Sequence, residues 1–149
     1  MLTSLDARAK QLGPMLDQLK PADWVKNGAP QAYVGQWTSA KNELIYLLGA
    51  TQTLAKDPEK LPAAIDTLFR MQALDSTLGS VIEGTRKYQN PAIADLVQAI
   101  ANENDQNRDH LKQYVLDLAT EKEHELQVMD AEAQRCRANV SSQKSQGKR

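Results

Sequence analysis

The chain has 149 residues, of which 41% are apolar and 25% charged, so it is long enough and apolar enough to bury one hydrophobic core. Its 18 lysines and arginines against 19 aspartates and glutamates leave a formal net charge of −1, which gives no general attraction to nucleic acid or to an acidic membrane. The single cysteine excludes an intramolecular disulfide and any multi-cysteine zinc site.

The first predicted element is a helical segment at the N-terminus. Its apolar residues alternate at spacings of four and three and so share one helical face: Leu5, Ala9, Leu12, Leu16 and Leu19. Because Gly13-Pro14 interrupts the pattern without changing its register, we expect either one kinked helix or two short helices. A short turn of helix that carries Trp24 should follow from Pro21 and end near Gly28.

Two long amphipathic helices are predicted next. The first runs from Pro30 to about Lys56 and has a heptad stripe that Val34, Ile45 and Leu48 widen. Its members are Tyr33, Trp37, Ala40, Leu44, Leu47, Thr51 and Leu54. The second begins between residues 59 and 62 and reaches about residue 88. Its predicted buried side comprises Ile65, Leu68, Phe69, Met71, Leu74, Leu78, Val81 and Ile82.

A third and much longer helix begins at Asn90-Pro91, a typical N-cap followed by proline at the first helical position. Its stripe comprises Ile93, Leu96, Val97, Ile100, Leu111, Tyr114, Val115 and Leu118. It extends to about Ala138 without a helix breaker, so it should overshoot the other long helices by about 30 Å at 1.5 Å per residue.

A weaker apolar stripe continues along this predicted overhang. It comprises Leu126, Met129, Ala133 and Cys136, flanked by charged residues. The stripe is interpreted as a candidate partner surface, for an unknown protein or for a second copy of the chain in antiparallel orientation. The alternative is a helix that is merely solvated.

The short connections between the long helices require neighbouring helices to run antiparallel. The predicted fold is therefore all-α, an up-down-up bundle of three long helices with the shorter N-terminal segment as a fourth wall. One domain is expected over residues 1–140, followed by a disordered Ser/Gln/Lys-rich tail over 141–149.

An internal polar layer is predicted where the second and third long helices face each other. Polar residues interrupt both apolar stripes, and a hairpin that turns at 89–90 brings position 75 opposite about position 106. The residues at this level are Asp75, Asn104, Asn107 and Arg108. Such a layer either fixes the helix register at some cost in stability or lines a small polar ligand pocket.

The same hairpin geometry predicts a contact between the first two long helices. With the turn at 57–60, Trp37 should pack close to Gly79 and Ser80. A glycine in the middle of a helix costs about 1 kcal/mol relative to alanine, so a packing reason for Gly79 is expected.

The motifs that carry chemistry are weak. Glu121 and His124 form a single Glu-x-x-His, whereas carboxylate-bridged di-metal bundles need two such motifs and two further inward carboxylates. Cys136 lies between Arg135 and Arg137, which could lower its pKa, but no histidine is within helical reach. We therefore expect no catalytic residues, no metal site and no cofactor.

The remaining inferences concern cellular address and role. No secretory leader and no membrane-spanning run is present, so the chain is expected in the cytoplasm by default, or outside if a leader was removed. The leading hypothesis is a non-enzymatic bundle that acts through protein–protein or structural contacts, without nucleic-acid binding. The rival hypothesis is a bundle that binds a small ligand or a metal.

Overall fold

The computed structural model describes residues 1–148 and contains five helices in that range and no strand. They are α1 (Leu2–Asp17), α2 (Pro21–Lys26), α3 (Ala32–Lys56), α4 (Leu61–Tyr88) and α5 (Pro91–Gln146). The all-α prediction is therefore confirmed, and the predicted boundaries of α3 and α4 are close to those observed, whereas α5 extends eight residues beyond its predicted end near Ala138.

The chain divides into two compact units, one over Met1–Val115 and one from Leu116 onward. The first contains α1 to α4 and the first part of α5, and the second contains the rest of α5. The sequence predicts one domain over 1–140, and whether these residues unfold together stays a prediction. Helix α5 also continues to Gln146, inside the 141–149 segment for which disorder is predicted, and Arg149 lies outside the described residues.

Three long helices pack in sequence order in the first unit. Helices α3 and α4 are in extensive contact. Helices α4 and α5 form an antiparallel hairpin, because Arg86 pairs with Asp95 near the turn (Nη1–Oδ1 2.6 Å) and Asp75 pairs with Arg108 farther from it. The turn is fixed by Asn90, whose side-chain oxygen accepts a hydrogen bond from the Ala92 amide at 2.8 Å, as an N-cap does.

Helix α1 is a single helix despite Pro14, and it forms the predicted fourth wall. It runs antiparallel to α5, since Arg8 pairs with Glu103 at 2.5 Å and Asn107 donates to the Ser4 hydroxyl at 3.3 Å. It also packs on α3, where the Trp37 indole N–H donates to the Leu16 carbonyl at 2.8 Å. The same carbonyl, in the last turn of α1, also accepts a hydrogen bond from the Leu19 amide at 3.2 Å.

Helix α2 anchors the α1–α3 connection onto the end of α4 through Trp24. The Trp24 ring is almost fully buried and meets the Tyr33 ring edge-on, with centroids 5.9 Å apart. A Cβ placed on Gly84 would lie 2.8 Å from Trp24 and 2.9 Å from Tyr33. Gly84, four residues before the end of α4, is therefore the glycine of this helix that has a packing reason.

The predicted contact between Trp37 and Gly79 is wrong. Gly79 is exposed, and a Cβ added there would meet no atom within 4 Å. Trp37 is half-buried and uses its N–H on α1 instead. The turn at 57–60 determines which residues of α3 and α4 lie at the same height along the bundle. It does not determine the rotation of α4 about its axis, and a small rotation is enough to place Gly79 on the outside.

Several large apolar residues predicted in the stripes are exposed, namely Ile45, Phe69 and Leu96. Small residues take the buried positions beside them, including Ala64, Thr67 and Ala94. A threonine is tolerated there because its hydroxyl bonds within its own helix, as Thr67 does to the Ala63 carbonyl at 2.8 Å. The buried face of each long helix is therefore narrower than the positions of its large apolar residues predict.

Candidate functional site

The structure brings Asp75 and Arg108 together across the α4–α5 hairpin. The Arg108 guanidinium forms an ion pair with Asp75 through Nη1 and a second one with Asp105, Nη2–Oδ1, at 2.8 Å. The side chains of Asp75 and Arg108 are each about three-quarters buried. One cation therefore sits between two carboxylates at the edge of the core, and Asp105 is a member that the sequence pattern missed because it lies off the apolar stripe.

Burial is the largest electrostatic effect on Asp75, and the hydrogen bond between the two side chains is the largest on Arg108. Desolvation raises the pKa of Asp75 above its usual value, although the hydrogen bond and the charge of Arg108 oppose this effect. The hydrogen bond to Asp75 raises the pKa of Arg108, so the arginine stays charged. The attraction thus only partly offsets the cost of burying the carboxylate, as is common for ion pairs away from water.

Asn104 and Asn107 form a separate polar contact on another side of α5. They are only 4% and 6% exposed. The Asn107 side-chain amide donates to Asn104 Oδ1 at 3.2 Å and to the Ser4 hydroxyl of α1 at 3.3 Å. The four predicted residues therefore divide into two groups: Arg108 of α5 pairs with Asp75 of α4, whereas Asn104 and Asn107 of α5 bond to each other and, through Asn107, to α1.

Two polar clefts accompany these groups. The α4–α5 cleft has a volume of about 160 Å³ and is lined by Asp75, Gly79, Asp105 and Arg108, among others. The α1–α5 cleft has a volume of about 490 Å³ and is lined chiefly by Ser4, Arg8, Asn102, Glu103, Asn107 and His110. Both clefts have ionic and hydrogen-bonding walls.

The predicted partner surface lies on an uninterrupted stretch of α5. Leu126 and Met129 are 66% and 64% exposed, and Ala133 and Cys136 are exposed as well. Val140, 53% exposed, continues the same spacing and was missed because the helix was predicted to end near residue 138. We call the five residues Leu126, Met129, Ala133, Cys136 and Val140 the C-terminal stripe.

All side chains from Glu123 to Lys148 are exposed. This includes His124 of the Glu-x-x-His motif, and Glu121 just before it is exposed too. Within residues 1–148 no three His, Cys, Asp or Glu side chains come together so that they could hold a metal ion. In that same part of the chain no helix has the length and apolar character needed to cross a membrane.

Comparison with known proteins adds no relative. No protein-family model matches the chain, and neither the curated proteins nor the solved structures include a significant match. Function must therefore be inferred from the geometry of the chain itself.

Proposed function

We propose that this chain is a non-enzymatic helical-bundle protein that acts through protein–protein contacts, and that the C-terminal stripe makes them. The observation that carries the proposal is the exposure of this stripe over 15 residues of continuous helix, from Leu126 to Val140. At 1.5 Å per residue the stripe is about 21 Å long.

Two physical arguments support this proposal. Single exposed apolar residues are ordinary, but apolar residues repeated at spacings of three and four on one face are the pattern that a partner helix covers. In addition, most helices in proteins owe their stability to packing of an apolar face rather than to intrinsic propensity. The helix from Glu123 to Gln146 buries no side chain in the isolated chain, so a partner would supply this packing.

A second candidate function is the binding of a small polar ligand in the α4–α5 cleft. It is favoured by the ionic group and by Gly79, which leaves the wall of the cleft open. The cleft has only about 160 Å³, whereas ligand pockets usually have about 300–1,000 Å³. Arg108 is also already paired with two carboxylates, so a ligand would have to displace one of them. Contact through the C-terminal stripe is therefore the better-supported proposal.

The test is the state of assembly of the full-length chain and of a stripe variant, Leu126→Lys with Met129→Lys, measured by sedimentation at several concentrations. The matched control is Val128→Lys, because Val128 is also an exposed apolar residue but lies on another face of the helix. We expect the stripe variant, and a chain that ends after Leu118, to lose an association that the control keeps.

A chain that sediments as a monomer calls for a second measurement in the source cells. A photo-crosslinking amino acid at position 129 should then give adducts with another protein, whereas the same group at position 128 should not. Absence of stripe-specific association in both measurements would refute the proposed function.

A further inference from the structure

We infer that the partner of the C-terminal stripe is a second copy of the same chain, and that the two stripes pair as an antiparallel coiled coil with a twofold axis between residues 134 and 135. This inference rests on the proposed function and adds the partner, the orientation and the register.

The stripe has the periodicity of a heptad repeat on a helix that is continuous from Pro91 to Gln146. Core positions a and d alternate at spacings of three and four. They are occupied by Leu126, Met129, Ala133, Cys136, Val140 and Gln143. The flanking e positions are Glu123, Asp130, Arg137 and Lys144, and the flanking g positions are Glu125, Glu132, Asn139 and Gln146.

The charges at the e positions change sign halfway along the stripe. Glu123 and Asp130 precede its centre, and Arg137 and Lys144 follow it. In an antiparallel coiled coil each e position faces an e position of the other helix, in reverse order. Glu123 therefore faces Lys144 of the second copy, Asp130 faces Arg137 of the second copy, and the twofold axis generates both pairs twice. All four side chains are exposed in the single chain and can reach a partner.

The same register forms a continuous core. Across the axis, Met129 packs against Val140 of the second copy, and Leu126 packs against the aliphatic part of Gln143 of the second copy. At the centre, Ala133 packs against Cys136 of the second copy, and these small side chains allow the two helices to approach closely. On the other flank Glu132 faces Asn139 of the second copy, so no like charges oppose one another.

Other arrangements oppose like charges. A shift by one heptad brings Asp130 opposite Asp130 of the second copy, or in the other direction Arg137 opposite Arg137. A parallel pair would bring each g position opposite the next e position of the other helix, so that Glu125 faces Asp130 and only Glu132 faces an opposite charge, that of Arg137. Like charges held face to face across an interface disfavour that pairing, so the charge pattern selects the central antiparallel register.

Two charge-reversed variants of the full-length chain test this register. The acidic variant carries Arg137→Glu and Lys144→Glu, and the basic variant carries Glu123→Lys and Asp130→Lys. All four e positions then have one sign, so each variant alone should self-associate at least about tenfold more weakly than the natural chain. An equimolar mixture should recover association to within about threefold of the natural chain, as a heterodimer.

The basic variant distinguishes antiparallel from parallel pairing. In a parallel pair, position 130, now a lysine, would face Glu125 of the other copy, and Arg137 would face Glu132 as before. Its association would then become stronger rather than weaker. The matched control is Arg135→Glu, because Arg135 lies two residues from Arg137 but on the outward side of the heptad. All substituted side chains are exposed and lie outside Met1–Val115, so the fold of that unit should be unchanged, which circular dichroism in the tryptophan region checks because both tryptophans lie in it.

Each outcome has a distinct meaning. A monomeric natural chain, or a mixture that stays monomeric, overturns the inference. Stronger association of the basic variant alone overturns the antiparallel orientation. If association is lost in the stripe variant but is insensitive to charge reversal, the proposed function stands and the register falls.

Discussion

Two glycines of α4 give opposite predictions at the scale of the single residue. Alanine at position 84 would bring its Cβ into the buried Trp24 ring, so Gly84→Ala should destabilise the first unit by about 1–3 kcal/mol. Alanine at position 79 meets open space and improves helix propensity, so Gly79→Ala should stabilise it by up to about 1 kcal/mol. Urea unfolding of both variants measures the difference, and equal effects would contradict the packing assigned to Gly84.

The raised pKa of Asp75 predicts a pH dependence of a defined sign. Well below pH 3.8, the usual pKa of an aspartate, Asp75 is protonated in both the folded and the unfolded state, and its burial costs little. The pKa of Asp75 is higher in the folded state. As the pH rises through that pKa, the folded state must hold a buried carboxylate, and the free energy of unfolding falls. Asp75→Asn cannot ionise, so its free energy of unfolding should increase relative to the natural chain between pH 3 and neutral pH.

The measurement is a series of urea unfolding curves for the natural chain and Asp75→Asn over that range. The variant Asp105→Asn is a suitable control, because its side chain is more exposed and contacts the same arginine. A difference that shrinks as the pH rises would show that the pairing with Arg108 outweighs burial.

At the scale of the element, Gln89 connects the end of α4 to the α1–α2 turn. Its Oε1 accepts hydrogen bonds from the Lys20 amide and the Trp24 indole N–H, both at 2.9 Å, and its amide donates to the Gln18 carbonyl at 3.1 Å. Gln89→Ala would leave the buried indole N–H without this acceptor.

The expected cost of Gln89→Ala is about 1–3 kcal/mol, the usual penalty for an unsatisfied buried donor. Gln98→Ala is the control, since it removes only a surface hydrogen bond between residues four apart on α5. The free energies of unfolding of the two variants are compared with that of the natural chain. Trp24 fluorescence should also report a local change in the Gln89 variant. Similar stabilities of the two variants would show that water replaces Gln89.

The elements also show how much of this fold the sequence predicts. Periodicity, proline and the Asn90 cap are local signals, so the order and approximate ends of the helices follow from them. Asp75 and Arg108 could be paired because both interrupt an apolar stripe at comparable distances from one short turn, 14 residues before Gln89 and 18 after Asn90. The rotation of a helix about its own axis depends on contacts with other helices, so spacing alone wrongly predicts that Gly79 faces inward and that Phe69 is buried.

The candidate sites also divide into features that depend on local sequence and features that depend on tertiary contacts. The stripe from Leu126 to Cys136 is visible in the sequence because it depends only on helical spacing. The role of Gly84 depends on Trp24, which is 60 residues away in the chain and is positioned by the short helix α2. The separation of the Asn104–Asn107 pair from the Arg108 group depends on which neighbour each side of α5 faces. Neither could be derived without the tertiary contacts.

At the scale of the whole molecule, the two units should differ in how their backbone amides exchange with solvent. Val97 and Leu111 of α5 are buried in the first unit, so their amides should exchange only when that unit opens. From Glu123 to Gln146 no side chain is buried, so in a single chain these amides are protected only by helical hydrogen bonds that fray easily.

Association through the C-terminal stripe should change the protection of the backbone amides from exchange, by an amount that depends on position along α5. At concentrations where the chain associates, protection should rise from Leu126 to Gln143 and fall away toward Gly147, while protection at Val97 and Leu111 stays constant. The two ends of the paired segment should gain similar protection, since the twofold axis between residues 134 and 135 makes them equivalent. Hydrogen exchange measured by mass spectrometry at low and high protein concentration tests this. Protection that is independent of concentration, or a rise confined to the first unit, would place the contact surface elsewhere.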